Sequence, residues 1–238
     1  SLDYWRVTVT DAIGSVTAQT NATRCVDAPG GVNNVFCSAI TRAPASGYVD
    51  SQGRDFPGHS ITGWTALAEN LAQSRRVGVD FEVDYRFEVA GGQAVSRLVG
   101  TRLLQSREWA FQDFPDEFQE YVTYVYDPRY RANLENSYKI SNWDFSWTMR
   151  YMHHNLRVSP ASYSSNPGSV SPITNGSYTY HNAQVGFSFL SEQQMRVYFG
   201  IDNLTDKDPP LNYFGTDGGT SMYDSMGRLF YAGATYRF

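Results

Sequence analysis

The sequence predicts an all-β protein whose antiparallel strands belong to a transmembrane β-barrel. Apolar and polar residues alternate with a period of two in one segment after another, which is typical of strands with one apolar face. The connections between these segments are alternately long and short, and the last segment ends on an aromatic residue, Phe238. Aromatic residues make up 15% of the 238 residues, which also favours strands.

Eight segments alternate in this way and are predicted to be strands: residues 2–11, 73–87, 93–104, 129–139, 143–154, 178–189, 195–203 and 228–238. In chain order their apolar faces carry Trp5, Val7 and Val9; Val79, Phe81 and Val83; Tyr130, Ala132 and Leu134; Phe145 and Trp147; Ala183, Val185 and Phe187; Val197 and Phe199; and Phe230, Ala232 and Ala234. Residues 93–104 are ambiguous, because Arg97 and Arg102 have opposite parity.

The second face of most strands is charged, and an unpaired charge buried in a protein core costs several kcal/mol. A water-filled lumen removes that cost. The side chains predicted to face the lumen are Asp80, Glu82, Arg86, Arg131, Glu135, Arg150, Arg196 and Asp202. The side chains predicted to face lipid are Val79, Phe81, Val83, Phe145, Trp147, Val197, Phe199 and Phe230.

The lengths of the connections separate a membrane barrel from a soluble sandwich. Long extracellular loops are predicted near residues 12–72, 105–128, 155–177 and 204–227, with tight turns between the other strands. A soluble meander does not require this pattern. Eight strands become ten if Phe36–Arg42 pairs with residues 47–52 inside the first long loop.

Several classes of function are excluded or disfavoured. A net charge of −5 argues against nucleic acid as a partner. The four histidines lack metal-motif spacing, and the acidic stretch from Asp113 to Glu120 lacks the spaced ligands and glycine of a calcium loop. No nucleophile elbow or phosphate-binding loop is present in the sequence. We therefore expect no metal, no cofactor and no enzyme activity.

The two cysteines, Cys25 and Cys37, lie in the first long loop. Their spacing is too wide for a redox Cys-x-x-Cys pair, so a disulfide in an oxidising compartment is the favoured prediction. Two separate buried thiols are the alternative.

Five stretches of the sequence carry a resemblance to a known family. They are VYFGIDNLTDKDPP from Val197, YDSMGRLFYAGATYRF from Tyr223, NLAQSRRVGVDFEVDYRF from Asn70, DYWRVTVTDAIG from Asp3 and FCSAITR from Phe36. Together they resemble TonB-dependent outer-membrane receptors of the large proteobacterial type. The resemblance implies a barrel of about 22 strands closed by an amino-terminal plug. The eight strands counted here are then expected to be the last eight, with residues 1–238 forming the carboxyl-terminal portion of the barrel and the plug absent from this chain.

The resemblance also implies a function and a set of partners. We expect active import of a scarce nutrient, a siderophore, oligosaccharide or peptide, across the outer membrane of a Gram-negative bacterium. Energy comes from the TonB complex through the plug. Outer-membrane lipid and the missing amino-terminal strands surround the wall, and the barrel assembly machinery reads the ending that contains Phe230, Tyr236 and Phe238.

Aromatic residues of the long loops are the candidate ligand contacts, because aromatic rings stack on sugars, peptides and siderophores alike. They are Trp109, Phe111, Tyr121, Tyr124, Tyr126, Tyr163, Tyr213 and Phe214. Loop-to-loop packing is the alternative role for each of them. A self-contained small barrel, acting as an adhesin or membrane-anchored enzyme, is the alternative function.

Overall fold

Long strands form most of the structure, a computed structural model that describes residues 1–15, 17–28, 30–65, 68–111, 114–189, 194–212, 215–216 and 222–237. The chain folds as two compact units. The first comprises Ser1–Thr8, Arg75–Glu108 and Gln119–Phe238, and the second comprises Val9–Ser74 and Trp109–Phe118.

Strands greatly outnumber helices. In chain order the strands are β1 (Leu2–Ser15), β2 (Ile40–Arg42), β3 (Tyr48–Val49), β4 (Asp55–Phe56), β5 (Ile61–Trp64), β6 (Ala68–Val89), β7 (Gly92–Trp109), β8 (Phe118–Glu120), β9 (Tyr130–Ile140), β10 (Trp143–Met152), β11 (Asn155–Leu156), β12 (Thr174–Asn175), β13 (Tyr178–Phe189), β14 (Met195–Asp202), β15 (Leu211–Asn212), β16 (Gly215–Thr216) and β17 (Leu229–Tyr236). The helices are α1 (Ala18–Asp27), α2 (Val35–Ser38) and α3 (Pro160–Ser165), with a 3-10 helix at Gly31–Asn33. In the part of the chain that the structure describes, no helix is both long and apolar enough to cross a membrane.

The main sheet has the order β1-β6-β7-β9-β10-β13-β14-β17, with β8 paired to β7. The eight predicted strands are the eight on this path, and each pair from β7 to β17 is antiparallel. The predicted all-β antiparallel fold is confirmed. Within the described residues β1 and β17 stand at the two ends of the path, so the sheet is open.

The alternation predicted the strands but not their full length. β6 begins at Ala68 rather than at residue 73, and β7 continues to Trp109 rather than ending at residue 104. The alternation marks only the part of a strand with one apolar face, whereas the hydrogen-bond ladder continues into a more polar stretch. We call the end of the main sheet away from the tight turns at residues 90–91 and 141–142 the outer end.

The strand register places a group of charged residues of the main sheet on one side, here called the polar face. Arg97 pairs with Glu135 of β9, and Glu135 pairs with Thr148 of β10. The Arg97 guanidinium lies 2.7 Å from Glu82 and 3.8 Å from Glu135. This register assigns Arg97 to the polar face, as the charge pairs require.

Arg102 lies on the opposite side of the sheet, here called the apolar face. It pairs with Tyr130, and its guanidinium lies 5.7 Å from the centre of the Tyr130 ring. Tyr130 is the first residue of β9, so both side chains lie toward the outer end, where a long arginine can extend its charge to water. Arg97 and Arg102 therefore lie on opposite faces of β7, which explains why residues 93–104 gave no single apolar face in the sequence.

The apolar face carries large side chains that remain exposed. Exposed apolar residues on it include Val83, Phe145, Val197, Phe199 and Phe230. Phe145 pairs with Val185, and Val185 pairs with Phe199, so these residues form a continuous row across β10, β13 and β14. A patch of this kind needs an apolar covering.

The face predicted for β1 is wrong. Ser1 and Glu82 exchange both backbone hydrogen bonds, and the Trp5 ring covers Gly78, where a Cβ would lie 2.4 Å from it. Trp5 therefore lies on the polar face with Glu82. Gly78 makes this orientation possible, because any other residue at position 78 would collide with the indole ring of Trp5.

Gly186 provides space for an ion pair on the polar face. The Arg196 guanidinium donates two hydrogen bonds to Asp144, at 2.9 and 2.6 Å, across Gly186 of the strand between them. A Cβ at Gly186 would lie 2.5 Å from Asp144 Oδ1 and 2.6 Å from Arg196 Nη2. An alanine would therefore displace the pair.

We expect Gly186→Ala to reduce the free energy of unfolding by about 1 kcal/mol, since the pair is partly exposed and such pairs contribute modestly. Urea denaturation of the full-length protein measures the change. Gly176→Ala is the control, because a Cβ there meets nothing within 4 Å. Equal stability of the two variants would contradict the role of the pair.

The second unit contains the disulfide and two small hairpins. Cys25 and Cys37 are joined by a disulfide between α1 and α2. Asn34 caps α2 by accepting a hydrogen bond from the Cys37 N–H, and its side-chain amide donates to the Cys25 carbonyl at 3.1 Å. The disulfide and this cap hold the chain compact on both sides of residues 31–33.

The alternative of ten strands is wrong. Residues 35–38 are helical, so β2 begins only at Ile40, and β2 pairs with β5 rather than with residues 47–52. β3 follows a turn in which Gly47 has a φ of +73°, and it pairs instead with β4. These hairpins form sheets of their own and add no strand to the main sheet.

Candidate functional site

A small core at the outer end joins several connections of the first unit. Val125, Met152 and Tyr223 are buried together, with Tyr178 packed against Tyr223 at a ring distance of 4.9 Å. The Asn155 side chain donates to the Tyr223 hydroxyl at 2.7 Å and accepts from Asn175 at 3.0 Å. Buried polar groups that are all paired hold loops in one arrangement.

Tyr124, one of the predicted loop aromatics, packs against this core, and Tyr121 and Tyr126 pack against Tyr124. The ring centres of Tyr121 and Tyr124 are 5.9 Å apart, and those of Tyr124 and Tyr126 are 5.5 Å apart. Burial raises the pKa of the Tyr121 and Tyr124 hydroxyls, so both stay protonated donors. Tyr126 is 52% exposed and is the most accessible ring of this row.

Trp109 and Phe111 belong to the second unit and are buried there. The Trp109 ring donates to the Pro115 carbonyl at 2.9 Å and packs against Phe118. Phe111 contacts Phe36, and the Arg24 guanidinium lies over Phe111 and Phe114. Both predicted contact residues therefore make internal contacts in this structure.

The other predicted aromatics are not brought together with these. Tyr163 is exposed on α3, and Tyr213 and Phe214 lie outside the described residues. At the carboxyl-terminal strand, Phe230 and Tyr236 are exposed on the apolar face, and Phe238 also lies outside the described residues.

A cavity at the outer end was not predicted from the sequence. It has a volume of about 360 Å³, and its lining includes Arg131, Arg150, Met152, Tyr180 and Met222. Strand alternation assigned the two arginines to the polar face, but only the register brings them together. Met222 comes from a loop that shows no pattern in the sequence.

The acidic stretch has a structural use at its last residue. One carboxylate oxygen of Glu120 accepts hydrogen bonds from the Ser106 and Val122 N–H groups, and the other accepts from Arg107. Asp113 lies outside the described residues. Among the residues that are described, no three His, Cys, Asp or Glu side chains form a group suited to a metal ion.

His153 is a titratable group at the end of β10, outside the spanning strand. Its ring packs against His154 at a centre-to-centre distance of 4.1 Å, and its Nδ1 lies 3.1 Å from the Tyr151 hydroxyl. Burial and the nearby His154 and Arg129 lower the pKa of His153. The folded loop therefore favours the neutral ring.

Acidification should lower the stability of the loop that begins at His153. Because the folded pKa is lowered, the unfolded loop binds a proton that the folded loop does not, so stability is lost as the pH falls below about 6.5. Hydrogen exchange of residues 153–156 at about pH 7.5 and about pH 5.5, corrected for intrinsic rates, measures the loss. His153→Gln should remove most of this pH dependence, and an unchanged dependence in that variant would assign the effect to another group.

Comparison with known families gives a match over most of the chain. Residues 1–204 match the family model described as "TonB dependent receptor-like, beta-barrel". No curated protein sequence matches the chain.

Three solved structures share the fold. They are the siderophore receptor PirA of Acinetobacter baumannii (18% identity, TM-score 0.55), the outer membrane transporter YddB of Escherichia coli (10% identity, TM-score 0.57) and a mutant of the ferric enterobactin receptor PfeA of Pseudomonas aeruginosa (16% identity, TM-score 0.54). Each alignment covers 100% of this chain and 29%, 30% and 28% of the respective structure. The chain thus spans less than a third of these proteins.

Proposed function

Because the chain belongs to the TonB-dependent receptor β-barrel family, we propose that it forms the wall of an outer-membrane receptor that imports a scarce nutrient with TonB-supplied energy. The observation that carries the proposal is the family match together with a sheet whose two faces differ in polarity across β10, β13 and β14. The apolar face contacts the lipid of a Gram-negative outer membrane, and the polar face lines the lumen.

The proposed organisation follows the same family relationship. Residues 1–238 act as the carboxyl-terminal portion of a wider barrel, and a plug and further strands complete the receptor. The TonB complex acts through the plug. The ending that contains Phe230, Tyr236 and Phe238 is read by the barrel assembly machinery, and the exposure of Phe230 and Tyr236 on the apolar face fits that role.

The ligand belongs to the siderophore, oligosaccharide or peptide class and is captured at the outer end. The siderophore class is favoured, because two of the structural neighbours are a siderophore receptor and a ferric enterobactin receptor. Of the eight aromatics predicted to contact ligand, Tyr126 and Tyr163 are exposed in the described part of the chain, and Tyr213 and Phe214 are proposed to join them. Transport rather than catalysis is the proposed activity.

Uptake measurements test the function. Deletion of the complete gene in the native bacterium should abolish uptake of one member of a panel of radiolabelled ferric siderophores, oligosaccharides and peptides. Removal of TonB should abolish the same uptake. Uptake that persists without TonB, or a deletion that changes no uptake, would reject the proposal.

The alternative of a self-contained small barrel is tested by expressing residues 1–238 alone with a secretion signal. The open ends at β1 and β17 leave unpaired backbone groups that lipid cannot satisfy, so the isolated chain should aggregate. A heat-modifiable monomer in the outer membrane would favour the alternative.

A further inference from the structure

Two arginines occupy neighbouring positions on the polar face near the outer end. Arg131 of β9 pairs with Thr101 of β7 and Met152 of β10, and Arg150 of β10 pairs with Asn133 of β9. Arg131 and Arg150 are therefore diagonal neighbours, whose Cα atoms are expected to lie about 7 to 8 Å apart.

These two arginines differ from other cations on the same face. Arg97 has Glu82 and Glu135 as partners, and Arg196 has Asp144. Within the described residues, neither Arg131 nor Arg150 has a carboxylate within 4 Å. Two arginines that line one cavity without a carboxylate partner give the cavity a positive potential, which attracts an anion.

Tyr180 fixes the position of Arg150. The guanidinium lies 4.9 Å from the centre of the Tyr180 ring, which is buried, and the Tyr180 hydroxyl accepts a hydrogen bond from the Asp224 N–H. An arginine stacked on a ring keeps its in-plane N–H groups available to a second partner. Arg150 is thus oriented before any ligand arrives.

The lining around the pair is mixed, because the polar residues Thr101 and Asn133 lie beside several apolar side chains. The cavity of about 360 Å³ that the two arginines line also includes Met152, Met222 and Tyr180. Met152 is the last residue of β10, so the cavity lies at the outer end, where a ligand enters under the proposed function. Methionine side chains adapt to aromatic and irregular apolar shapes.

We propose that Arg131 and Arg150 form an anion-binding site for the transported ligand. The ligand carries carboxylate or phosphate groups on an apolar or aromatic body, with the acidic oxygens held by the two guanidinium groups and the body lying on Met152 and Met222. This inference rests on the proposed function, because it assigns a ligand class to the outer entrance of the receptor.

Binding of simple probes to the purified full-length receptor tests the site. Fluorescence titration compares 2-naphthyl phosphate and 2-naphthoate, which distinguish phosphate from carboxylate, with neutral 2-naphthol. At least one anion should bind about tenfold or more tightly than 2-naphthol, since hydrogen bonds between charged groups are worth at least that factor. Equal binding of all three probes would overturn the proposal.

Variants locate the binding. Arg131→Gln and Arg150→Gln should each weaken anion binding about tenfold and leave 2-naphthol binding unchanged. Arg150→Lys should keep part of the affinity, because it retains the charge but loses the stacked planar donor group. Arg102→Gln is the matched control, an equal charge change on the apolar face of the neighbouring strand, and should have no effect.

The outcomes separate this proposal from the proposed function. Anion binding that depends on both arginines, in a receptor that imports nothing, would reject the function and keep the site. Anion binding that is unchanged in both variants, or that is reduced equally in Arg102→Gln, would reject the site. If acidic groups from other segments of the receptor already occupy the cavity, the anionic probes would bind no more tightly than 2-naphthol, and the site would also be rejected. Heat-modifiability of each variant verifies that it is folded.

Discussion

Replacing Val185 with arginine is expected to lower the free energy of unfolding of the full-length receptor by about 2 to 4 kcal/mol, the cost of placing arginine at the bilayer midplane of a barrel's lipid face. Val185 pairs with Phe145 and Phe199, and it lies four residues from the end of β13 at Phe189. The new charge would therefore stand in the middle of an apolar row.

The adjacent residue provides a matched control. Gln184 pairs with Ser146 and Gly200 and lies on the polar face, so Gln184→Arg should change stability by less than about 1 kcal/mol. Urea titration of both variants folded into lipid vesicles measures the difference. Equal destabilisation of Val185→Arg and Gln184→Arg would show that the two faces do not experience different solvents.

Removing the disulfide is expected to produce the second large effect. The double variant Cys25→Ser, Cys37→Ser should lose about 3 kcal/mol of stability in the second unit, because the bridge restricts the unfolded chain. α1 and α2 then depend on their side-chain caps, Thr17 and Asn34, and on local packing. Short helices of this kind are marginal without such constraints.

Hydrogen exchange of residues 18–38 measures the loss as a decrease in the free energy of local opening. Val32→Ala, at an exposed position of the same loop, is the control and should leave exchange unchanged. The same decrease in the free energy of local opening should follow when the disulfide of the wild-type receptor is chemically reduced. Unchanged protection in the double variant would mean that packing alone holds this loop.

The alternation of side chains was sufficient to predict most of the main sheet. It placed Phe145, Val197 and Phe199 on one face and Arg196 on the other, because the register carries a one-face pattern from strand to strand. It failed for β1, where Trp5 lies on the polar face over Gly78. The prediction used only the hydrophobicity of Trp5, and that property does not show that Gly78 on the neighbouring strand leaves room for an indole ring on the polar face.

The long loops were predictable in position but not in internal structure. No periodic pattern indicates that Trp109 and Phe111 become buried in the second unit, or that β2 pairs with β5. Their positions depend on contacts between residues far apart in the chain. The cavity with Arg131 and Arg150 has the same origin, because it needs a register that one sequence cannot specify.

Solvent accessibility on the two faces of the sheet tests the central claim most directly. Spin labels at Phe81 and Phe145, on the apolar face, and at Glu82 and Ser146, on the polar face, are compared in the full-length receptor in lipid vesicles. Oxygen in the lipid should relax the first two labels, and a water-soluble nickel reagent should relax the last two. Labels at all four sites that respond mainly to the water-soluble reagent would contradict a membrane-spanning wall.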